Sequence, residues 1–429
     1  MIATTIFLLL GTLALSIPVA ASLGVLAFSL MWFFAPVPLD LMIGEVSWQS
    51  MSSESLVAIP FFILLGEILL RAGIAERMYA ALVQWLSWLP GGTMHANIGA
   101  CALFAASSGS SVATAATIGT VSASEIEKHG YDPRLFLGSL AAGGTLGILI
   151  PPSVAMIVYG ALTETSIPRL YMAGMLPGVV LAVLFMLLIA GICLLWPAAG
   201  GRPVETTWAR RLRVLPDLIP PLLIFGLVVL TIYAGIATPT EAAAFGVVGA
   251  LGLAAMHRRL TITMLADAFE GTMRTTAMVT AIIMTALLLN FVMTFLGISR
   301  QIVDVVLALD LSPTMLMIAI VLFYLVLGCF MEGFSILLVT VPIIVPIVVS
   351  LGYDSIWFGI VLTLLLEAAL ITPPIGMNLY VVHGVRKGGS LNDVIVGSLP
   401  FVAVIFLMIL ILIAFPGLAL WLPSIAFDS

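Results

Sequence analysis

Two pairs of adjacent prolines stand inside long apolar runs, Gly147-Ile148-Leu149-Ile150-Pro151-Pro152-Ser153 and Ala368-Ala369-Leu370-Ile371-Thr372-Pro373-Pro374-Ile375-Gly376. Proline carries no backbone N–H and its ring clashes with the preceding turn, so a helix that reaches either pair must break there. What such a break means depends on the solvent, and composition decides that. Of 429 residues, 62% are hydrophobic and 8% charged, with a mean hydropathy of +1.26, which excludes both soluble globular and disordered classes. The chain reads as an all-α polytopic membrane protein. Apolar stretches suited to crossing lie within 2–36, 56–70, 135–150, 170–196, 215–236, 277–298, 313–331, 356–372 and 394–414, so about ten crossings or more are expected. In hydrocarbon a broken helix is tolerated only where protein or a water-filled cavity satisfies the freed backbone groups, so each break is a candidate site.

The two breaks belong to a repeat. Gly73-Ile74 matches Gly297-Ile298 (297 − 73 = 224), and Gly130-Tyr131-Asp132 matches Gly352-Tyr353-Asp354 (352 − 130 = 222). Pro151-Pro152 matches Pro373-Pro374 (373 − 151 = 222), and the Leu-Pro at Pro177 matches that at Pro400 (400 − 177 = 223). Each match alone is an ordinary turn or helix-boundary signal; the constant offset marks a duplication. Basic residues give the orientation. Arg202, Arg210, Arg211 and Arg213 are separated from Arg258 and Arg259 by two apolar spans, so both clusters share one face, which the positive-inside rule makes cytoplasmic. The long helix of the first copy, 172–196, therefore ends inside. Its counterpart, about 395–414, starts after Arg386 and Lys387 and ends outside, so the copies are inverted. The expected organisation is an N-terminal scaffold region 1–53, a first repeat 54–200, connecting scaffold helices and arm 201–272, and a second repeat 273–429. Inverted repeats with matching broken helices are the signature of secondary transporters.

Other features are architectural. The start of the chain lacks a basic n-region, and its apolar run reads as a retained membrane segment. Residues 75–90, with two tryptophans, and 258–274 read as interfacial helices. Cys101, Cys193 and Cys329 lie in apolar stretches without metal-ligand spacing. No basic run suits nucleic acid, the four histidines show no zinc-type spacing, and neither a phosphate-binding loop nor a nucleophile elbow occurs, so neither an enzyme nor a nucleotide-driven pump is expected.

Each repeat also carries a polar patch between apolar runs: Ser107-Ser108-Gly109-Ser110-Ser111 with Thr114 and Thr117, and Met331-Glu332-Gly333-Phe334-Ser335 with Thr340. A re-entrant helical hairpin with the patch at its tip fits this pattern, near 107–128 in the first copy and 331–350 in the second. Helix-end carbonyls and amides at such a tip bind cations and anions without a charged side chain. Carbonyls near Gly147 and Pro151 with Ser107 to Ser111 can cage one small hard cation, and Gly333, Thr372 and Pro373 a second. Close packing of small residues is the plainer alternative. Glu332 and Glu367 are intramembrane carboxylates and functional candidates. Glu67 is placed to pair with Arg71 along one helix face. Asn290 and Asn378 read as interhelical hydrogen-bonders unless they face a cavity.

With these motifs, and Ile371-Thr372-Pro373-Pro374-Ile375-Gly376-Met377-Asn378 among them, the chain closely resembles over its whole length the large membrane subunit of tripartite ATP-independent periplasmic (TRAP) transporters, the DctM-like family. The resemblance implies an elevator-type transporter of the bacterial inner membrane. Its implied cargo is an organic acid anion, such as a C4-dicarboxylate, a sugar acid or a sulfonate, imported with sodium and delivered by a periplasmic substrate-binding protein (DctP-like). A small four-helix membrane subunit (DctQ-like) is implied as a separate polypeptide, with sodium ions as coupling ions and no other cofactor. Carried onto matching positions, sodium sits near Ser107, Ser108, Gly147 and Pro151, and near Gly328, Gly333, Thr372 and Pro373. Substrate lies near Ser110, Ser153, Glu332 and Asn378. A stand-alone sodium/dicarboxylate symporter of related fold is the nearest alternative, and a scaffold or channel subunit the more distant one.

Overall fold

The computed structural model describes residues 2–15, 17–308, 311–386 and 388–427. Three N-terminal helices, α1 (Ile2–Ala14), α2 (Val19–Phe34) and α3 (Ile43–Met51), lead into the first repeat. That repeat comprises α4 (Glu54–Arg71), α5 (Ile74–Leu86), α6 (Thr93–Ser108), α7 (Ser111–Ser122), the short α8 (Glu125–His129), α9 (Pro133–Leu149), α10 (Val154–Thr163) and α11 (Ile167–Leu195). Three connecting helices follow, α12 (Trp208–Val214), α13 (Ile219–Tyr233) and α14 (Pro239–Met256). Helix α15 (Ile262–Phe295) runs across the expected boundary at 273 into the second repeat, which continues with α16 (Ile298–Leu307), α17 (Pro313–Gly328), α18 (Gly333–Ser350), α19 (Ser355–Leu370), α20 (Met377–Val385) and α21 (Leu391–Ala414), and α22 (Gly417–Phe427) closes the described chain. Six helical stretches are long and apolar enough to cross a membrane, and two bent pairs raise this to eight among the described residues. The expected ten or more crossings are not reached on this criterion because the breaks cut further apolar segments into pieces such as the 16-residue α17 and α19.

The repeat is visible in backbone detail. Gly73 and Gly297 cap α5 and α16 with left-handed φ values of 70° and 67°. Asp132 and Asp354 cap α9 and α19 in the same way: each Oδ1 accepts the backbone N–H groups two and three residues on, at 2.7–3.1 Å. The peptides Pro151–Pro152 and Pro373–Pro374 are both cis.

Direction follows from contacts. Glu67, near the end of α4, lies against Gly271, near the start of α15. At the other end, Leu56 of α4 shares a cleft with Leu287 and Asn290 of α15. These corresponding helices of the two repeats therefore run antiparallel, as inversion requires. The bend of 70° between α4 and α5 lays α5 along the arginine-rich face. Gly73 at its start lies near Arg259, and at its end the Gln84 carbonyl accepts from Arg211 Nε at 3.1 Å while Trp85 Nε1 donates to the Arg211 carbonyl at 3.2 Å. Residues 74–86 thus form a helix of their own along the arginine-rich face. Residues 258–274 do not: 262–295 form one continuous 34-residue helix, because nothing between Thr261 and Phe295 interrupts it beyond the single Gly271. Glu67 pairs with Arg71, as its spacing predicts.

The first hairpin enters and leaves on the arginine-rich face. Thr93 N–H at its base donates to Tyr131 OH at the start of α9, 3.0 Å away, and its tip at Gly109 reaches Pro152. The repeats then interlock: α10 packs on hairpin helix α18 and α20 on hairpin helix α7, while α9 packs against α19 and α21. The α9–α21 contact is backbone on backbone, since a Cβ at Gly138 would overlap the Gly397 carbonyl and a Cβ at Gly397 the Arg134 carbonyl. Gly138→Ala and Gly397→Ala are each expected to destabilise the protein by about 1–3 kcal/mol, the usual range for overpacking, seen as a lower thermal unfolding midpoint in lipid nanodiscs.

Candidate functional site

Each proline pair strips two carbonyls of their helical donors. In α9 these belong to Gly147 and Ile148, whose i+4 partners are Pro151 and Pro152; in α19 they belong to Ala369 and Leu370, facing Pro373 and Pro374. Ile148 is repaired locally, because Ser153 Oγ donates to its carbonyl at 2.6 Å and also caps α10 through Met156 N–H. Position 375, equivalent to Ser153, is isoleucine, so the second break has no such hydroxyl. There Thr372 Oγ1 donates to Ala368 O at 2.6 Å and Ser398 Oγ to Ile371 O at 3.3 Å.

The first hairpin tip sits directly on the first break. A Cβ at Gly147 would lie 2.9 Å from the carbonyl of Ser110 and from Ser111 N, and one at Gly109 2.9 Å from Pro152 O. Glycine is required at both places by this approach, and at Gly109 also by φ of +60°. Gly66 of α4 closes another side, with its Cβ position 3.0 Å from Ser108 O. Ser108 Oγ meets Thr114 Oγ1 at 3.0 Å, and Thr114 Oγ1 donates to Ser110 O at 2.7 Å. Backbone and hydroxyl oxygens of Ser108, Ser110, Gly147 and Pro152 are therefore gathered in one buried neighbourhood. The side chain of Ser107 falls outside the described residues.

The second tip repeats the arrangement with different side chains, Met331 and Glu332 standing where the first has Gly109 and Ser110. Gly328 and Gly333 flank the tip and lie on the last turns of α19, against Ala369 and Leu366. Ser110 and Glu332 occupy equivalent positions (332 − 110 = 222), and both are N-caps of the returning hairpin helix. Ser110 Oγ accepts from Ala113 N–H at a long 3.4 Å. Glu332 instead accepts from Phe334 N–H at 3.2 Å, Ser335 N–H at 2.8 Å and Ser335 Oγ at 2.8 Å. The negative charge thus complements the positive end of α18, whereas α7 carries a neutral cap.

The four residues expected near substrate divide into two pairs. Ser110 and Glu332 stand at the tips and are half-buried. Ser153 and Asn378 are fully buried; Ser153 is committed to the break, and Asn378 Nδ2 donates to Ala141 O at 3.2 Å, tying α20 to α9 beside Gly144. Asn378 is an interhelical link in this conformation. Asn290, read as an interhelical bonder, instead lines a cleft of about 520 Å³ with Gln49, Ser53 and Glu164. The sequence reading missed the equivalence of Ser110 with Glu332, although the repeat offset contained it. No group of three or more His, Cys, Asp or Glu side chains suited to a metal occurs among the described residues.

Glu332→Ala is expected to lower stability by about 0.5–2 kcal/mol through loss of the α18 cap, with Ser110→Ala at the lower end of that range because its bond is long. Thermal unfolding of the two variants side by side checks the order.

Comparison with known proteins adds a family and a fold. Residues 6–418 match the family described as "Tripartite ATP-independent periplasmic transporter, DctM component". The chain is 32% identical over 445 residues to the C4-dicarboxylate TRAP transporter large permease protein of Vibrio cholerae, covering 99% of this chain and 98% of the relative. It is 31% identical over 430 residues to the ectoine TRAP transporter large permease protein of Halomonas elongata, covering 100% and 99%. Among solved structures, the Alcanivorax borkumensis YdaH transporter, described as having an unusual topology, superposes with a TM-score of 0.70 at 13% identity, covering 95% of this chain and 98% of that one, a likeness of fold alone.

Proposed function

The chain belongs to the DctM component family of the tripartite ATP-independent periplasmic transporters, and from that premise we propose that it couples inward sodium movement to the import of a small organic anion. It is a multi-pass large permease subunit of the inner membrane and not an enzyme. The observation that carries the coupling proposal is that a proline-broken helix bears on a hairpin tip in each repeat, with carbonyls on the broken helix deprived of their donors. Oxygens without a charged counterpart form the shell that suits an alkali cation. One sodium then sits among Ser107, Ser108, Gly147 and Pro151, and a second among Gly328, Gly333, Thr372 and Pro373.

The two tips do not share the work equally. The positive end of α7, which no carboxylate caps, favours an anion, so the cargo's carboxylate or similar group goes to the Ser110 tip. Glu332 repels an anion and favours a cation nearby, which places it with the second sodium. Bound sodium completes the counter-charge for the anion. The relatives' names differ in cargo, a C4-dicarboxylate in one and ectoine in another, so the family leaves the anion's identity to this chain's own tip residues.

A periplasmic binding protein delivers the cargo and a small membrane subunit supports the scaffold. Movement is of the elevator kind: hairpins and broken helices shift against α4, α14 and α15, with the left-handed glycine caps at Gly73 and Gly297 joining α4 and α15 to the arms α5 and α16.

Uptake of a labelled organic-acid panel into liposomes holding this chain and its small partner, with and without a sodium gradient and the binding protein, tests the reading. Uptake that needs both supports it; uptake with sodium alone points to a stand-alone carrier, and uptake indifferent to sodium overturns the coupling. Pro151→Ala and Pro373→Ala are expected to impair sodium-dependent uptake while leaving insertion intact, because each restores one N–H to a carbonyl at its break, that of Gly147 in the first cage and that of Ala369 beside the second. Glu332→Gln is expected to raise the sodium concentration for half-maximal uptake about tenfold and to change the cargo KM less, the reverse of Ser110→Ala; tenfold corresponds to about 1.4 kcal/mol.

A further inference from the structure

Glu367 lies in α19, twelve residues and about 18 Å along the helix from Ser355. It is fully buried, and no described residue donates a hydrogen bond to either carboxyl oxygen. Beside it stands Thr145 of α9, the helix packed directly on α19. The two positions are equivalent in the repeat (367 − 145 = 222), the offset that also relates Ser110 to Glu332 and Pro151 to Pro373. Two equivalent residues that are also neighbours lie at the pseudo-twofold axis between the repeats. The polar atoms there are outside both proposed sodium cages.

An ionised carboxylate at this place lacks any compensation. The charged side chains on helices packed against α19 all stand at helix ends or caps: Asp132, Arg134, Glu164, Arg169, Glu332, His383 and Asp393, with Arg386 just beyond α20. Arg134 and Arg386 both turn to Asp393, and Arg169 stacks over Phe427. The tyrosine hydroxyls on those helices are engaged elsewhere, Tyr159 with Ser355 O, Tyr171 with Ser153 O, Tyr324 with Thr340 and Tyr380 with Pro374 O. A bare charge in hydrocarbon is strongly disfavoured, and a group so placed takes up a proton instead. The hydrogen-bond sense agrees. Thr145 Oγ1 sends its one hydrogen to Ala142 O, 2.8 Å away, so toward Glu367 it offers lone pairs only. A carboxylate cannot bond to lone pairs; a carboxylic acid can donate to them.

We propose that Glu367 is a proton-binding site at the axis between the repeats, carrying its proton in this conformation and donating it to Thr145 Oγ1, so that α19 is tied to α9 just before both helices break. Hard cations take six or more oxygens, and a carboxyl with one hydroxyl supplies three, so the ligand is a proton rather than a third sodium. Glu367 acts as a positioning residue: the link holds the two broken helices, and hence the two cages, in register. The proposal rests on the packing of the repeats and not on the sodium reading.

Infrared difference spectra of the whole protein in nanodiscs, wild type minus Glu367→Gln, test the proton directly. A protonated-carboxyl stretch at neutral pH that E367Q lacks, and that shifts in Thr145→Val, is the expected result; a carboxylate signature at that position overturns the proposal, as does a band unmoved by T145V. Uptake supplies an independent readout. Glu367→Leu, which removes the hydrogen bond, is expected to lose about tenfold in uptake, roughly the worth of one buried hydrogen bond, and E367Q to recover most of it. E367Q as inactive as E367L would mean that ionisation is required. Should E367Q not fold, the shift of the wild-type band in T145V alone decides. Failure of sodium dependence with the band intact would refute the sodium reading and leave this proposal standing.

Discussion

The constraint on which the structure depends is the need to satisfy every backbone polar group where water is absent. Each proline pair leaves two carbonyls without donors at membrane depth, and the rest of the architecture answers that deficit. Hairpin tips are brought against the broken helices by glycines at 66, 109, 147 and 328 that leave no room for a Cβ. Ser153 and Thr372 repair carbonyls at or next to the breaks. The carbonyls left without helical donors on each repeat are the observation on which the proposed ion sites rest.

Duplication and divergence are both readable at single positions. Asp132 and Asp354 perform the same cap, and Gly73 and Gly297 the same left-handed turn, so the backbone scheme has been kept. The proposed asymmetry of function rests on equivalent side chains that differ. Serine faces glutamate across the offset at 110 and 332, serine faces isoleucine at 153 and 375, and threonine faces glutamate at 145 and 367. A symmetric frame with unlike tips can receive an anion at one helix N-terminus and a cation beside the other.

Much of this was legible in the chain. The repeat, its inversion, the hairpins and the breaks follow from proline, glycine and arginine positions, because those residues act on the backbone locally or on topology through charge. The separate course of α5 was legible for the same reason. That 258–274 has no helix of its own was not, because its charges, Asp267, Glu270 and Arg274, resemble an interfacial pattern, whereas helix continuity depends on the absence of a breaker over 34 residues. Asn378 and Asn290 were ambiguous, since an amide in an apolar run can face a neighbouring helix or a cleft, and spacing alone does not say which.

The sequence by itself determined the solvent, the all-helical class, the duplicated and inverted order of elements and the places where helices must break, because hydrophobicity, missing N–H groups and positive-inside charge are properties of the chain. Only the tertiary structure decided which oxygens meet. That Gly147 lies on Ser110, that Asn378 reaches Ala141, and that Glu367 stands beside its own repeat counterpart Thr145 are consequences of how two inverted copies pack. Such contacts are set by the close approach of helices distant in sequence, and no local propensity records them.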